Sequence, residues 1–180
     1  MSFQADLSLA LELAEIADGI SLSRFQALDL KVETKPDSSP VTDADRSVEL
    51  ALKEKLAAER PSDAIIGEEF GDQAGSNRTW IIDPIDGTAN FMRGVPVWAS
   101  LICLAVDGKP QVGVVSAPAL GRRWWAATDL GAHTKNLDGS TRPLKVSGIS
   151  ELAHASLSYN NLKLWDELGH LDALIELSRS

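Results

Sequence analysis

The spacing of the apolar residues changes near residue 64, and this change limits the fold more than any other feature of the sequence. Before it, apolar side chains recur at helical intervals at Leu9, Leu13, Ile16 and Ile20. This spacing predicts an amphipathic helix over roughly residues 6–26. After it, short apolar runs separated by turn residues are typical of strands. Helices at the start followed by strands in sequence predict an α+β layered domain with a largely antiparallel sheet.

A second helix is predicted to begin after Thr42 and to end at Glu59. Thr42 stands three residues before Asp45, which resembles a capping box with Asp in place of the usual Glu. Asp45 shares one helix face with Val48 and Leu52, so it lies at the N-terminal end of the packed side. We therefore expect its carboxylate to point into a site rather than into bulk water.

The rest of the chain is predicted from shorter patterns. The predicted strands are, in chain order, residues 64–66, 79–82, 97–106, 111–116, 122–127, 144–147 and 155–159. Asp107 and Gly108 form a turn between two of these strands. The Pro- and Ser-containing residues 35–40 predict a loop, and residues 164–177 carry a weak helical pattern.

Composition and charge narrow the classes of partner. The chain has 180 residues and a net charge of −9, which argues against nucleic acid because phosphate backbones need clustered Lys and Arg. A small phosphate ester stays compatible, since a divalent metal supplies positive charge locally. Cys103 is the only cysteine, so no intrachain disulfide forms. The N-terminus is not typical of a signal peptide and no apolar run reaches membrane-spanning length, so we expect a cytoplasmic protein without a membrane partner.

The segment from Trp80 to Thr88 carries the strongest chemical signal. Its apolar strand delivers Asp83, and Asp86 follows three residues later, separated by a rigid Pro84. Gly87 permits an unusual backbone angle, and the chain is then predicted to enter a helix. The carboxylates bind hard divalent cations, and exposed N–H groups at a helix start hold a phosphate. This segment therefore predicts a place where metal and phosphate meet.

Glu68 adds a third carboxylate at the end of the preceding predicted strand. Three carboxylates provide ligands for two or three Mg²⁺ ions, and paired ions assist phosphoryl transfer from both sides of the phosphorus. Taken alone, Glu68 is also typical of a solvated strand end, and Asp86-Gly87 of a turn. Their occurrence together, in a fixed order with Asp45, favours the metal site.

Three motifs of this sequence resemble those of the inositol monophosphatase family. They are Val41-Thr42-Asp43-Ala44-Asp45, Gly67-Glu68-Glu69 and Asp83-Pro84-Ile85-Asp86-Gly87-Thr88. The resemblance extends through nearly the whole chain. It implies a layered αβ sandwich, a Mg²⁺-dependent phosphomonoesterase activity on a small phosphorylated substrate, and a homodimer.

The resemblance also assigns roles to single residues. The implied metal ligands are three carboxylates and one carbonyl oxygen: Glu68, Asp83, Asp86 and the carbonyl of Ile85. Asp45 and Thr88 are implied to orient the attacking water, and Gly87 and Thr88 to contact the phosphate through backbone N–H groups. Lys35 matches a family lysine near the metal site.

Within the family, several segments are similar to actinobacterial histidinol-phosphate phosphatases. Examples are Arg93-Gly94-Val95-Pro96-Val97-Trp98-Ala99-Ser100 and Arg122-Arg123-Trp124-Trp125. Histidinol phosphate is therefore the expected substrate, in histidine biosynthesis, and inositol phosphate is the alternative. The family continues beyond residue 180, so we expect residues 1–150 to form the metal-binding lobe and 151–180 to begin a second lobe.

Two alternatives stay open at this point. Because family members place a second-metal ligand beyond residue 180, the second metal site is expected to be incomplete, and the chain is alternatively an inactive fragment that binds metal. An aspartyl-phosphate mechanism is disfavoured, since no Asp stands two residues before Asp86.

The basic and aromatic run at residues 122–125 is interpreted as strand packing, with arginine stems extending to water. Three scattered histidines, His133, His154 and His170, lack metal-ligand spacing.

Overall fold

The computed structural model describes residues 2–36, 39–159 and 162–179. The chain forms two compact units, Met1–Leu144 and Lys145–Ser180. The predicted division after residue 150 stays a prediction. Asp37 and Ser38, which belong to the predicted loop, lie outside the described residues. No helix among the described residues is both long enough and apolar enough to cross a membrane.

The first unit begins with two helices that were predicted from apolar spacing and capping. Helix α1 spans Gln4–Arg24 and helix α2 spans Asp43–Glu59. Between them lies a short antiparallel hairpin that the sequence pattern missed, with β1 at Val32–Thr34 and β2 at Pro40–Thr42. Both helices contribute buried apolar side chains to one core, among them Leu13, Ala17, Val48, Leu52 and Leu56.

Seven further strands form one sheet in which each strand pairs with its neighbour in sequence. They are β3 Ala64–Gly67, β4 Arg78–Asp86, β5 Ala99–Val106, β6 Lys109–Ala117, β7 Arg122–Ala127, β8 Gly131–Lys135 and β9 Thr141–Leu144. All pairs are antiparallel except β3 with β4, which confirms the largely antiparallel α+β prediction. Asp107 and Gly108 both have positive φ angles, as the tight turn between β5 and β6 requires.

The single parallel pair places the predicted site. Parallel strands end at the same edge of a sheet, and Gly67 of β3 lies opposite Ile82 of β4. The next residues, Glu68 and Asp83, therefore emerge side by side at that edge. A short helix α3, Thr88–Met92, follows β4 directly. One face of the sheet contributes Trp80, Ile82 and other buried side chains to the core shared with α1 and α2.

Two of the later strand predictions were wrong, and strand β8 was missed in addition to the hairpin. The predicted strand at 144–147 lies instead at β9 and ends at Leu144, while residues 155–159 are exposed and form no strand. Strand β8 has no large apolar side chain, yet it pairs with β7 along its whole length, so tertiary pairing decides that it forms a strand. The weak helical pattern at 164–177 forms two short helices, α4 Leu162–Glu167 and α5 Leu171–Leu177.

Candidate functional site

Glu68 and Asp83 meet at the common edge of β3 and β4. Asp83 is partly buried, and its pKa is raised to about 7 by burial first and then by the negative charge of the neighbouring Glu68, with Asp86 and Asp45 adding to it. Like charges this close oppose ionisation of one another. The edge therefore concentrates negative charge, as the sequence predicted for a cation site.

An irregularity in β4 separates the two aspartates of the turn. The pairing of β4 with β5 shifts register between Asp83 and Asp86, where Pro84 lies. Proline has no N–H to give to the sheet, so the ladder breaks there. The hydroxyl of Ser100 on β5 donates a hydrogen bond of 2.6 Å to the carbonyl oxygen of Pro84. This buried contact satisfies the carbonyl that the irregularity exposes.

Gly87 and Thr88 turn the chain from β4 into α3. Gly87 has φ +93°, a left-handed conformation that glycine adopts without strain, and α3 begins at Thr88 as predicted. The Thr88 hydroxyl lies 3.0 Å from the carbonyl oxygen of Ile85 and 3.3 Å from Oδ1 of Asp45. The turn thus brings together the three residues predicted to supply a ligand carbonyl and to orient water.

Asp45 is fully buried at the first turn of α2. Its Oδ2 accepts hydrogen bonds from the N–H and the hydroxyl of Thr42, at 2.8 and 2.5 Å, which completes the predicted capping box. Burial raises the pKa of Asp45, although these hydrogen bonds oppose the rise. One carboxylate therefore both caps the helix and reaches Thr88 from the other side.

Lys35 supplies positive charge at this edge. Its Nζ lies 2.7 Å from a carboxylate oxygen of Glu68 and 2.7 Å from one of Glu69. Burial lowers the pKa of Lys35, but hydrogen bonds with these two glutamates outweigh it, and the pKa is raised. The hairpin that carries Lys35 is tied to α2 by a two-fold contact between Glu33 and Arg46. Lys35 is therefore a fixed cation beside the carboxylates.

The arrangement of the donor atoms decides whether the site fits a metal ion. Within residues 2–36, 39–159 and 162–179, no three carboxylate, histidine or cysteine side chains converge closely enough to hold one. Glu68 is held at this edge by its ion pair with Lys35. The oxygens nevertheless suit a hard divalent cation, because buried Oδ1 of Asp83 meets no hydrogen-bond donor among the described residues. Glu68, Asp83, Asp86 and Ile85 stay predicted ligands.

A second, smaller core packs against the turn between β4 and α3. Ile85 and Phe91 are buried together with Trp98, and Phe25 packs against them. The rings of Phe91 and Trp98 meet edge to face with centroids 4.9 Å apart. This packing holds Ile85 and α3 in place.

Residues that the sequence reasoning missed hold the backbone of the site. Glu49 lies fully buried on α2 and accepts hydrogen bonds from the segment after β3, and Ser100 holds the irregularity in β4. Helical spacing offered a signal for Glu49, since it follows Asp45 by four residues and a charged side chain on a packed face requires a partner. Nothing in the local sequence marks Ser100, because its partner is 16 residues away.

Known proteins match this chain over most of its length. The inositol monophosphatase family profile matches residues 4–167. A histidinol-phosphatase of Mycobacterium tuberculosis is 55% identical over 96% of this chain and 67% of its own length. A histidinol-phosphatase of Streptomyces coelicolor is 52% identical over 97% of this chain and 67% of its own length. The crystal structure of the extragenic suppressor protein SuhB from Bartonella henselae aligns with a TM-score of 0.75 and 28% identity, covering 83% of this chain and 57% of that one.

Proposed function

Because the chain belongs to the inositol monophosphatase family, we propose that it carries the water-activating part of a Mg²⁺-dependent phosphomonoesterase that hydrolyses histidinol phosphate. The family consists of metal-dependent phosphatases that act on small phosphorylated substrates. The chain spans 67% of the length of two similar histidinol-phosphatases and 57% of the aligned SuhB chain. Its own activity and substrate are therefore proposals.

The observation that carries this proposal is the state of Asp83. Its Oδ1 is buried and meets no donor among the described residues, and burial together with the neighbouring Glu68 and Asp86 raises its pKa to about 7. An isolated buried charge of this kind is costly unless a cation compensates for it. Bound Mg²⁺ would supply that charge and would neutralise the charge that develops on the phosphoryl group.

The remaining residues are assigned to water and phosphate. The Thr88 hydroxyl lies 3.3 Å from Oδ1 of Asp45, so it can donate a hydrogen bond to Asp45 while its oxygen accepts a hydrogen bond from the attacking water. The buried Asp45 is held by Thr42 and keeps this geometry fixed. Gly87 and Thr88 are proposed to present backbone N–H groups to the phosphate.

The similar histidinol-phosphatases support histidinol phosphate as the substrate. Inositol phosphate is the alternative substrate, because it is the substrate after which the family is named. Phosphate release from each ester is measured with Mg²⁺ and, as a blank, with EDTA. We expect release that requires Mg²⁺ and is faster from histidinol phosphate. Faster release from inositol phosphate would identify inositol phosphate as the substrate instead. No release from either ester would reject enzymatic activity for this chain.

Asp83→Asn tests the metal assignment directly. The change removes a charged ligand and keeps the side-chain shape, so Mg²⁺-dependent release is expected to fall by about 10²-fold or more. Asp129→Asn is the matched control, because Asp129 is exposed at a turn with φ +64°, which asparagine tolerates. Unchanged turnover in Asp83→Asn would refute the assignment of Asp83.

A further inference from the structure

Glu49 is a fully buried carboxylate that the proposed reaction does not use. It lies on α2, with 0% of its surface exposed. A buried charge persists only with good partners, since an unpaired one is strongly unfavourable. What Glu49 binds therefore indicates what it is for.

Its partners belong to the segment that carries Glu68. Oε2 of Glu49 accepts a hydrogen bond of 2.7 Å from the backbone N–H of Glu69, and Oε1 accepts one of 3.0 Å from Phe70. Lys53, one turn further along α2, lies 3.7 Å from Oε1. Hydrogen bonds from N–H groups to an ionised carboxylate are about twice as strong as neutral ones. Glu49 thus anchors the backbone immediately after Glu68 to a rigid helix.

Gly67 shows how closely this anchor fits. A Cβ atom built on Gly67 would overlap the carboxylate of Glu49, reaching both Oε1 and Cδ. Gly67 lies within β3 and has no positive φ, so the close approach of Glu49, and not the backbone angle, requires glycine here. The Gly67-Glu68-Glu69 motif therefore includes a residue whose role depends on Glu49.

We propose that Glu49 is the positioning residue for Glu68, holding its backbone so that its carboxylate stays beside Asp83. The Glu68 side chain is 42% exposed and forms an ion pair with Lys35, while the backbone that follows it is anchored to Glu49. This role rests on the proposed metal-dependent function. Groups that orient metal ligands typically change metal affinity by about 10–100-fold when they are removed.

Glu49→Gln is the test. Glutamine keeps the size but has one acceptor oxygen in place of two, and its NH₂ group would face one of the backbone N–H donors. In the metal-free protein, we expect the amide hydrogens of Glu69 and Phe70 to exchange about tenfold faster or more, while those of Leu104 and Val112 in the core sheet keep their rates. Unchanged exchange at Glu69 and Phe70 would overturn the proposal, and so would equal acceleration across the core sheet, which indicates a general loss of stability.

Mn²⁺ titration of the same variant provides the second measurement. We expect the dissociation constant for Mn²⁺ to rise about 10-fold or more, and kcat to recover in part at saturating metal, because Glu68 remains present. The matched control is Glu54→Gln, an exposed carboxylate on the same helix, which is expected to change neither measurement. An unchanged Mn²⁺ affinity in Glu49→Gln would refute the positioning role. If the wild-type chain bound no Mn²⁺, the proposed function would fail, and the amide exchange alone would decide the role of Glu49.

Discussion

Two carboxylates of the candidate site, Asp45 and Asp83, differ in how well their surroundings satisfy them. Asp45 caps α2 through Thr42 and also reaches Thr88, so it keeps its charge satisfied while buried. Asp83 has no comparable partner for its Oδ1 among the described residues. The first arrangement stabilises the fold, whereas the second lowers its stability and leaves an oxygen that we propose binds a cation.

Asp83→Asn is therefore expected to stabilise the metal-free protein. The folded pKa of Asp83, about 7, exceeds the ordinary aspartate value of 3.8, so the folded state holds the proton more tightly than the unfolded state. The ionised Asp83 therefore lowers the free energy of unfolding. This loss is absent at low pH, grows as the pH rises between the unfolded and the folded pKa, and is complete above the folded pKa. In EDTA, we expect the variant to unfold several degrees higher at pH 8, at about 2–4 °C per kcal/mol for a chain of this size.

Thermal unfolding with and without Mg²⁺ measures both consequences. The advantage of Asp83→Asn should be smaller at pH 5 than at pH 8, and Mg²⁺ should raise the unfolding temperature of the wild type but not of the variant. Asp129→Asn again serves as the control. A metal-free variant that unfolds below the wild type at pH 8 would contradict the pKa argument.

At the scale of elements, the site depends on how β3, β4 and α2 end. The parallel pairing of β3 with β4 sets Glu68 beside Asp83, and the capping box at Thr42 sets Asp45 at the start of α2. The irregularity at Pro84 shifts the pairing of β4 with β5 between Asp83 and Asp86. The irregularity in β4 also uses a hydrogen bond from a distant residue, the one from Ser100 to the carbonyl oxygen of Pro84.

Ser100→Ala removes the donor that satisfies the carbonyl of Pro84. Ser100 is fully buried, so the carbonyl would lose its partner, and we expect a loss of about 1–3 kcal/mol in the free energy of unfolding. The loosened irregularity should also weaken Mg²⁺ binding. Denaturant unfolding and Mg²⁺ titration measure the two effects, with Ser147→Ala, at an exposed position, as the control. A loss within experimental error of the control would show that the bond does not support β4.

At the scale of the first unit, a partly buried ion cluster connects α1 to the sheet. Arg123 of β7 is 7% exposed and binds Glu15 and Asp18 of α1, and its Nε donates to Ser116 at 3.0 Å. The interpretation of arginine stems extending to water was therefore wrong for Arg123. Its neighbour Arg122 lies over the ring of Trp124, 5.4 Å from the centroid. Partners more than 100 positions away could not be read from the run itself.

Arg123→Met should destabilise the protein by about 2–3 kcal/mol, toward the lower end of the range for breaking a buried ion pair, because Glu15 is exposed. The main cause is Asp18, which keeps a buried charge without its partner. Adding Asp18→Asn should restore part of the loss. Denaturant unfolding of the single and double variants measures this, with Arg142→Met on the exposed strand β9 as the control. Additive losses in the double variant would exclude the coupling between Arg123 and Asp18.

Homodimer formation and a cytoplasmic location stay predictions from the resemblance and the composition.

The fold class, both long helices, the capping box and five of the sheet's strands followed from local patterns, because apolar spacing and turn residues act over a few positions. Strand β8 and the hairpin β1–β2 did not, since their residues have weak strand patterns and form strands only through pairing. The strand predicted at 155–159 failed for the converse reason, because a strand pattern without a pairing partner does not form a sheet.

By itself, the sequence determined the family, the chemical types of the site residues and the turn at Asp83-Pro84-Ile85-Asp86-Gly87-Thr88. Those features lie in contiguous residues whose physical preferences are local. Only the tertiary structure decided that Lys35 neutralises Glu68, that Glu49 anchors the backbone behind it, and that one oxygen of Asp83 is buried among negative neighbours. These depend on contacts between distant residues, where burial and charge act through space rather than along the chain.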